Sequence, residues 1–205
     1  MKRHLVTLIM LMAIALICYA TTLYPGGALT DPNSIGFKWN KNFISNLFGP
    51  NALNGAANPA RFWAAAGMIF LSLGFAVFFV RFSKKIAVPP AAAMIKYLGM
   101  AAMVCTFLIV TPLHDIMVTV ASTLTLMTLF YITVFILKSK RWGLKIASVL
   151  CMLIFYATLY IFGTGEWELL AVMQKVTLGV NVLLILALDY TTDATDFAHI
   201  QPKKR

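Results

Sequence analysis

Six apolar runs, each close to the length of a membrane span, restrict this chain more than any other feature. They lie at about Leu5–Tyr24, Phe62–Phe82, Tyr97–Leu113, Ile116–Leu137, Ile146–Gly163 and Trp167–Leu188. A helix rises about 1.5 Å per residue, so roughly 20 residues cross a hydrocarbon core about 30 Å thick. Inside lipid no water is available to backbone N–H and C=O groups, which leaves helices as the structure such runs can adopt. The third run is the shortest, and it lengthens back to Ala91 if Lys96 snorkels to the interface. The expected fold class is all-α: a six-helix transmembrane bundle, one integral membrane domain over residues 1–205.

Composition agrees. Hydrophobic residues make up 60% of the chain and charged ones 12%, against about 25% charged in soluble domains. A net charge of +10 would suit a nucleic-acid binder if the cations formed a continuous groove. They fall instead in short clusters between the apolar runs, which fits anchoring at a membrane face and argues against nucleic acid as a partner.

Those clusters also predict an orientation. One face takes Lys2, Arg3, Arg81, Lys84, Lys85, Lys96, Lys138, Lys140, Arg141, Lys145, Lys203, Lys204 and Arg205, which is 13 of the 17 cations. The other takes Lys38, Lys41 and Arg61. By the positive-inside rule both termini are cytoplasmic and the 25–61 loop is extracytoplasmic. Lys2, Arg3 and the Cys18-Tyr19-Ala20 stretch resemble a cleavable secretory signal, but the apolar run continues to Tyr24 and is long enough to stay as a first span. Cys18, Cys105 and Cys151 lie in separate spans and read as small apolar residues.

The links Thr111–Asp115 and Gly163–Glu166 are short enough to force spans three and four, and five and six, into hairpins. Pro112 is placed to end the third span and Asp115 to cap the fourth. Gly67 and Gly74 sit seven apart, where another helix can approach closely. The tail after Leu188 is polar and reads as a solvated cytoplasmic end.

The one long polar loop, Pro25 to Arg61, carries the most information. Pro25-Gly26-Gly27 and Asp31-Pro32-Asn33 read as turns. Trp39, Phe43 and Leu47 recur every fourth residue, with Lys38, Lys41, Asn42 and Ser45 opposite, and Gly49-Pro50 follows as a stop. That spacing predicts a short amphipathic helix over Phe37–Phe48, with its aromatic edge in the membrane interface. Asn58 with Pro59 predicts the start of the second span.

Chemistry-bearing residues are few. Ser45, His114 and Asp115 fall on the loop face and could serve as nucleophile, base and orienting acid of a membrane-face hydrolase or transferase. The plainer reading makes Asp115 a helix cap and His114 a wet turn residue, because adjacent residues do not ordinarily orient one another as a catalytic pair does. Lys175 is the one cation well inside a span, beside a polar stripe of Gln174, Thr177 and Asn181. Such a residue suggests a solute or ion path, or helix glue, with Glu168 two turns away as an ion-pair partner. Zinc is poorly supplied: the loop face has one histidine, to which Asp115, Asp31, Glu166 and Glu168 would have to be added. No phosphate loop, nucleophile elbow or HExxH occurs, so no metal or cofactor is expected. The leading reading is a multi-pass membrane protein whose outer loop binds an amphiphile or a membrane-protein partner through Trp39, Phe43, Ser45 and Asn46.

The stretch Asn42-Phe43-Ile44-Ser45-Asn46-Leu47-Phe48-Gly49 resembles the "Ile-Ser-acid-Leu-Gly" motif that follows the first span in a bacterial six-span family of unknown function (domain-of-unknown-function 998 family). That family is similar to the damage-regulated autophagy modulator proteins. Here Asn46 stands at the acidic position, and Phe48 separates Leu47 from Gly49. The resemblance implies a six-span fold and a bacterial inner-membrane address, and it brings no reaction with it.

Overall fold

The structure, a computed structural model, describes residues 4–200. Six helices carry the chain back and forth: α1 Leu5–Leu23, α2 Ala60–Ser83, α3 Pro89–Leu108, α4 His114–Lys138, α5 Trp142–Thr164 and α6 Trp167–Thr191. All six are long and apolar enough to cross a membrane. Residues 1–3 and 201–205, with five of the cations counted toward the terminal face, lie outside the described part.

The helices pack in chain order, α1 on α2, α2 on α3 and onward to α5 on α6, and α6 closes against α1 and α2. The third span starts earlier than its apolar run, at Pro89, because two prolines open it and Lys96 can lie over the Tyr97 ring, 4.9 Å from its centroid. It also ends earlier, at Leu108, so the link to α4 runs from Ile109 to Leu113.

Close approach occurs where Gly67 and Gly74 predicted it, and also at Gly99 of α3, where a Cβ would stand 2.5 Å from the Phe79 ring. A Cβ on Gly67 would stand 2.7 Å from Ile17 of α1, and one on Gly74 would stand 2.9 Å from Met10. Packing of this kind holds helices together in lipid, where apolar burial alone offers no preference between helix and acyl chain. Below it, Phe75, Phe78, Phe79 and Phe82 of α2 fill the centre with Ile95, Ile132, Ile136, Ile185 and Leu188. Exposed leucines and aromatics such as Leu8, Leu150, Leu153 and Tyr160 cover the outside, where lipid is the solvent.

The tail differs from its expected form. Helix α6 runs to Thr191, and the residues after it fold back over the terminal face rather than into solvent. Phe197 is fully buried against Phe82, with ring centroids 5.6 Å apart. Arg141 Nε donates to Asp196 Oδ1 at 2.8 Å, and His199 Nε2 contacts the Lys138 carbonyl at 2.8 Å. One buried aromatic outweighs a polar composition, because its burial from water is worth about 2–3 kcal/mol. The guanidinium beside Asp196 holds that carboxyl below the usual carboxylate range.

The 25–61 loop departs further. No helix covers Phe37–Phe48; the residues 44–47 form a single 3₁₀ turn, Ile44–Leu47. Before it, β1 Gly26–Ala28 pairs antiparallel with β2 Asp31–Ile35, with Gly26 opposite Ile35. Asp31-Pro32-Asn33, expected as a turn, therefore opens a strand. Gly27, at φ +81°, lies so close to residues 53 and 54 that a Cβ would stand 2.3 Å from the Asn54 nitrogen. The loop is a plug. Ile44, Leu47 and Ala52 join Ile17, Ala20, Tyr24, Ala60 and Ala64 in a small second core between α1 and α2.

Candidate functional site

Asn42 organises the loop. It was placed on the solvent face of the expected helix, but it is fully buried. Its Nδ2 donates to the Gly27 carbonyl at 2.7 Å and to Asn46 Oδ1 at 3.2 Å, while its Oδ1 accepts from the Lys38 N–H at 2.8 Å. Asn46 Oδ1 in turn accepts from the Phe43 N–H at 2.8 Å. Asn58 does the same at the other end: its Nδ2 donates to the carbonyls of Leu47 and Gly49, and its Oδ1 accepts from the Ala60 N–H at 3.1 Å. The sequence puts Asn58 at the N-cap of the second span, but Pro59 holds that position and α2 starts at Ala60, so this bond turns the chain one residue ahead of the cap. A loop this tightly folded needs side-chain amides because its backbone groups have few ladder partners.

Helix α6 fastens the loop from below. Gln174 Oε1 accepts from the Ile44 N–H at 2.9 Å. Lys175 Nζ donates to the Asn42 carbonyl at 2.6 Å and to the Ala171 carbonyl, with the Phe37 ring 6.0 Å away. The ammonium thus engages main-chain oxygens rather than the carboxylate of Glu168, which is exposed. Lower on the stripe, Asn181 Nδ2 donates to the Thr177 carbonyl, the Cys151 thiol of α5 to Asn181 Oδ1 at 3.4 Å, and Thr158 bonds Thr177 at 2.6 Å. Lys175 and Gln174 bind the loop, and Asn181 binds α5.

On the far side of the 3₁₀ turn a cleft of about 360 Å³ opens between the loop and the α3–α4 link. Phe48, Gly49, Pro50, Ile109, Val110 and Pro112 supply most of its wall, with Ser45, Asn46, Thr111 and His114 among them. Ser45 and His114 thus share a site, although 69 positions separate them in sequence. Lys175, Gln174 and Asn181 do not line it. Trp39 lies outside as well, half exposed and edge-on to Phe37 at 5.3 Å, and Phe43 is half-buried in the loop.

His114 and Asp115 do touch. His114 Nδ1 lies 2.9 Å from Asp115 Oδ1, with the Asp115 side chain fully exposed in the first turn of α4. Asp115 is therefore not the N-cap; Leu113 holds that position, and Thr111 Oγ1 accepts the Leu113 N–H at 3.2 Å. His114 Nε2 is shielded and has no partner among the described residues. No hydrogen bond joins Ser45 to His114, the contact a nucleophile and its base require. Among the described residues no three His, Cys, Asp or Glu side chains gather as a metal site would need.

The chain matches no family model, no curated protein and no solved structure.

Proposed function

We propose that this multi-pass membrane protein binds an amphiphile in the cleft between its outer loop and the α3–α4 link. The observation that carries this reading is the cleft itself: a cavity at the end of the spans with a mostly apolar wall and a few polar groups. About 360 Å³ is near the lower limit for small-molecule pockets. It suits a headgroup and its first carbons, with the acyl chain continuing along the lipid-exposed helices. Ser45 is half-buried at the wall, and its hydroxyl makes no bond within the described protein, so it can orient the headgroup. Binding through the loop is retained from the sequence reading with Ser45 and Asn46, while Phe48, Gly49 and Pro50 take the place of Trp39 and Phe43. Trp39 serves better as an interfacial anchor.

A photoactivatable single-chain phospholipid should crosslink to residues 45–50 and 109–114. Val110→Trp, which fills the cleft, should reduce that crosslinking at least tenfold, while Trp39→Ser should leave most of it. Crosslinks elsewhere, or none sensitive to Val110→Trp, would overturn the proposal.

The cation asymmetry supports cytoplasmic termini and an outward-facing cleft, and the family resemblance supports a bacterial inner membrane. Activity of a periplasm-only reporter fused at Lys140 would reverse this orientation.

A further inference from the structure

At the opposite end of the bundle, a larger cleft of about 620 Å³ opens where α2 and α6 end and α5 begins. Three cations from separate elements line it: Arg81 in the last turn of α2, Lys85 just after it, and Arg141 before α5. Their carboxylate partners point inward. The Asp189 side chain is 1% exposed with Arg81 Nη1 3.1 Å from its Oδ2, and the Asp196 side chain is 11% exposed beneath Arg141. The Arg81 and Arg141 side chains remain 31% and 46% exposed. Opposite charges are therefore paired, and the lining sets three cations against two carboxylates, Asp189 with its side chain buried and Asp193 exposed, while Asp196 lies outside it.

Lys85 shapes the floor. Its Nζ donates to the carbonyls of Leu188, Asp189 and Thr192 and to the Thr192 hydroxyl, at 2.8–3.4 Å. Its charge is thereby fixed beside the cavity without a direct carboxylate contact. Burial lowers its pKa, and the nearby Asp189 opposes that shift. The remaining exposed carboxylate, Asp193, turns Oδ1 to the Thr195 N–H and hydroxyl. Arg141 spends Nε and Nη2 on Asp196, and the guanidinium fork has further N–H groups beyond these two bonds. Lys84, Lys138, Lys140 and Lys145 add to the positive field on this face.

We infer that this cleft binds a phosphate group, with Arg141 as the principal ligand and Arg81 and Lys85 supplying the field. Guanidinium recognises phosphate oxygens through charge-assisted paired hydrogen bonds, and basic pockets between spans at the membrane edge suit phospholipid headgroups. This site is separate from the loop-face cleft and does not depend on it.

The full chain in nanodiscs tests the inference by competition with a fluorescent phosphatidylglycerol. Phosphatidylglycerol should compete and diacylglycerol, which carries no phosphate, should not, with affinity falling as salt rises. Arg141→Gln should weaken binding about tenfold or more, roughly the loss of one charge-assisted contact. Asp196→Asn breaks the same tail contact but frees Arg141, so it should bind at least as tightly as the original. Competition by millimolar glycerol 3-phosphate would make a soluble phosphate the ligand, and its failure would make a lipid headgroup the ligand; both retain phosphate recognition. Equal competition by diacylglycerol, or equal weakening in both variants, would overturn it.

Discussion

Asn42→Ala is expected to loosen the 25–61 loop while leaving the six spans folded. The substitution removes a donor from the Gly27 carbonyl and an acceptor from the Lys38 N–H, and it frees Asn46 from its neighbour. Each buried partner left unsatisfied costs about 1–3 kcal/mol. The Tyr24 hydroxyl still reaches the Gly27 carbonyl at 3.3 Å, and Lys38 is exposed, so part of the loss is recovered. A local cost of about 2–3 kcal/mol remains, which corresponds to roughly 30- to 150-fold faster hydrogen exchange through local opening. The acceleration should cover the amides of Phe43, Ile44 and Phe48 and spare the middle of α2. Asn33→Ala is the control, because Asn33 is exposed in the same loop. Equal exchange in the two variants would show that Asn42 does not hold the loop. Loosening should also weaken amphiphile crosslinking, since Ser45, Asn46 and Phe48 to Pro50 form one wall of the cleft.

The contrast between spans and loop shows what sequence periodicity can reach. Span positions follow from length and hydropathy because lipid imposes one requirement, an internally satisfied backbone, on every residue of a run. Gly67 and Gly74 were legible for a related reason, since only the lack of a side chain permits their contact with Ile17 and Met10. The loop obeys no such single rule. Trp39, Phe43 and Leu47 have helical spacing, yet the Asn42 amide and the Gly27 backbone hold the segment in a plug whose helical part is one turn. Side-chain amides that bond distant main chain leave no periodic trace. Lys175 illustrates the same limit. Seven-residue spacing pointed to Glu168, whereas its ammonium meets the Asn42 carbonyl from 133 positions away. Ser45 and His114 could be placed on one face by topology, but their shared cleft depends on how the plug seats. Phe197 was hidden by its polar surroundings, since one aromatic in a charged tail carries no pattern.

The largest stability change is expected when Arg81 no longer faces Asp189. Its side chain is 1% exposed, and neither oxygen accepts a hydrogen bond among the described residues, so Arg81 compensates it chiefly by charge at 3.1 Å. Removing one partner of a buried ion pair costs about 3–5 kcal/mol, because the other charge remains where water cannot reach it. Arg81 is about a third exposed and Lys85 is close by, which lowers the expected cost of Arg81→Leu to about 2–3 kcal/mol. Asp189→Leu should cost less: the Arg81 side chain is already about a third exposed to solvent, and the removed carboxylate forfeits no hydrogen bonds. Combining the two should leave the protein more stable than Arg81→Leu alone, with a coupling of about 1–2 kcal/mol between the sites. Unfolding midpoints in detergent, followed by circular dichroism, report all three variants. Additive losses would mean that the pair does not act as a unit and that Asp189 draws its compensation from Lys85 instead.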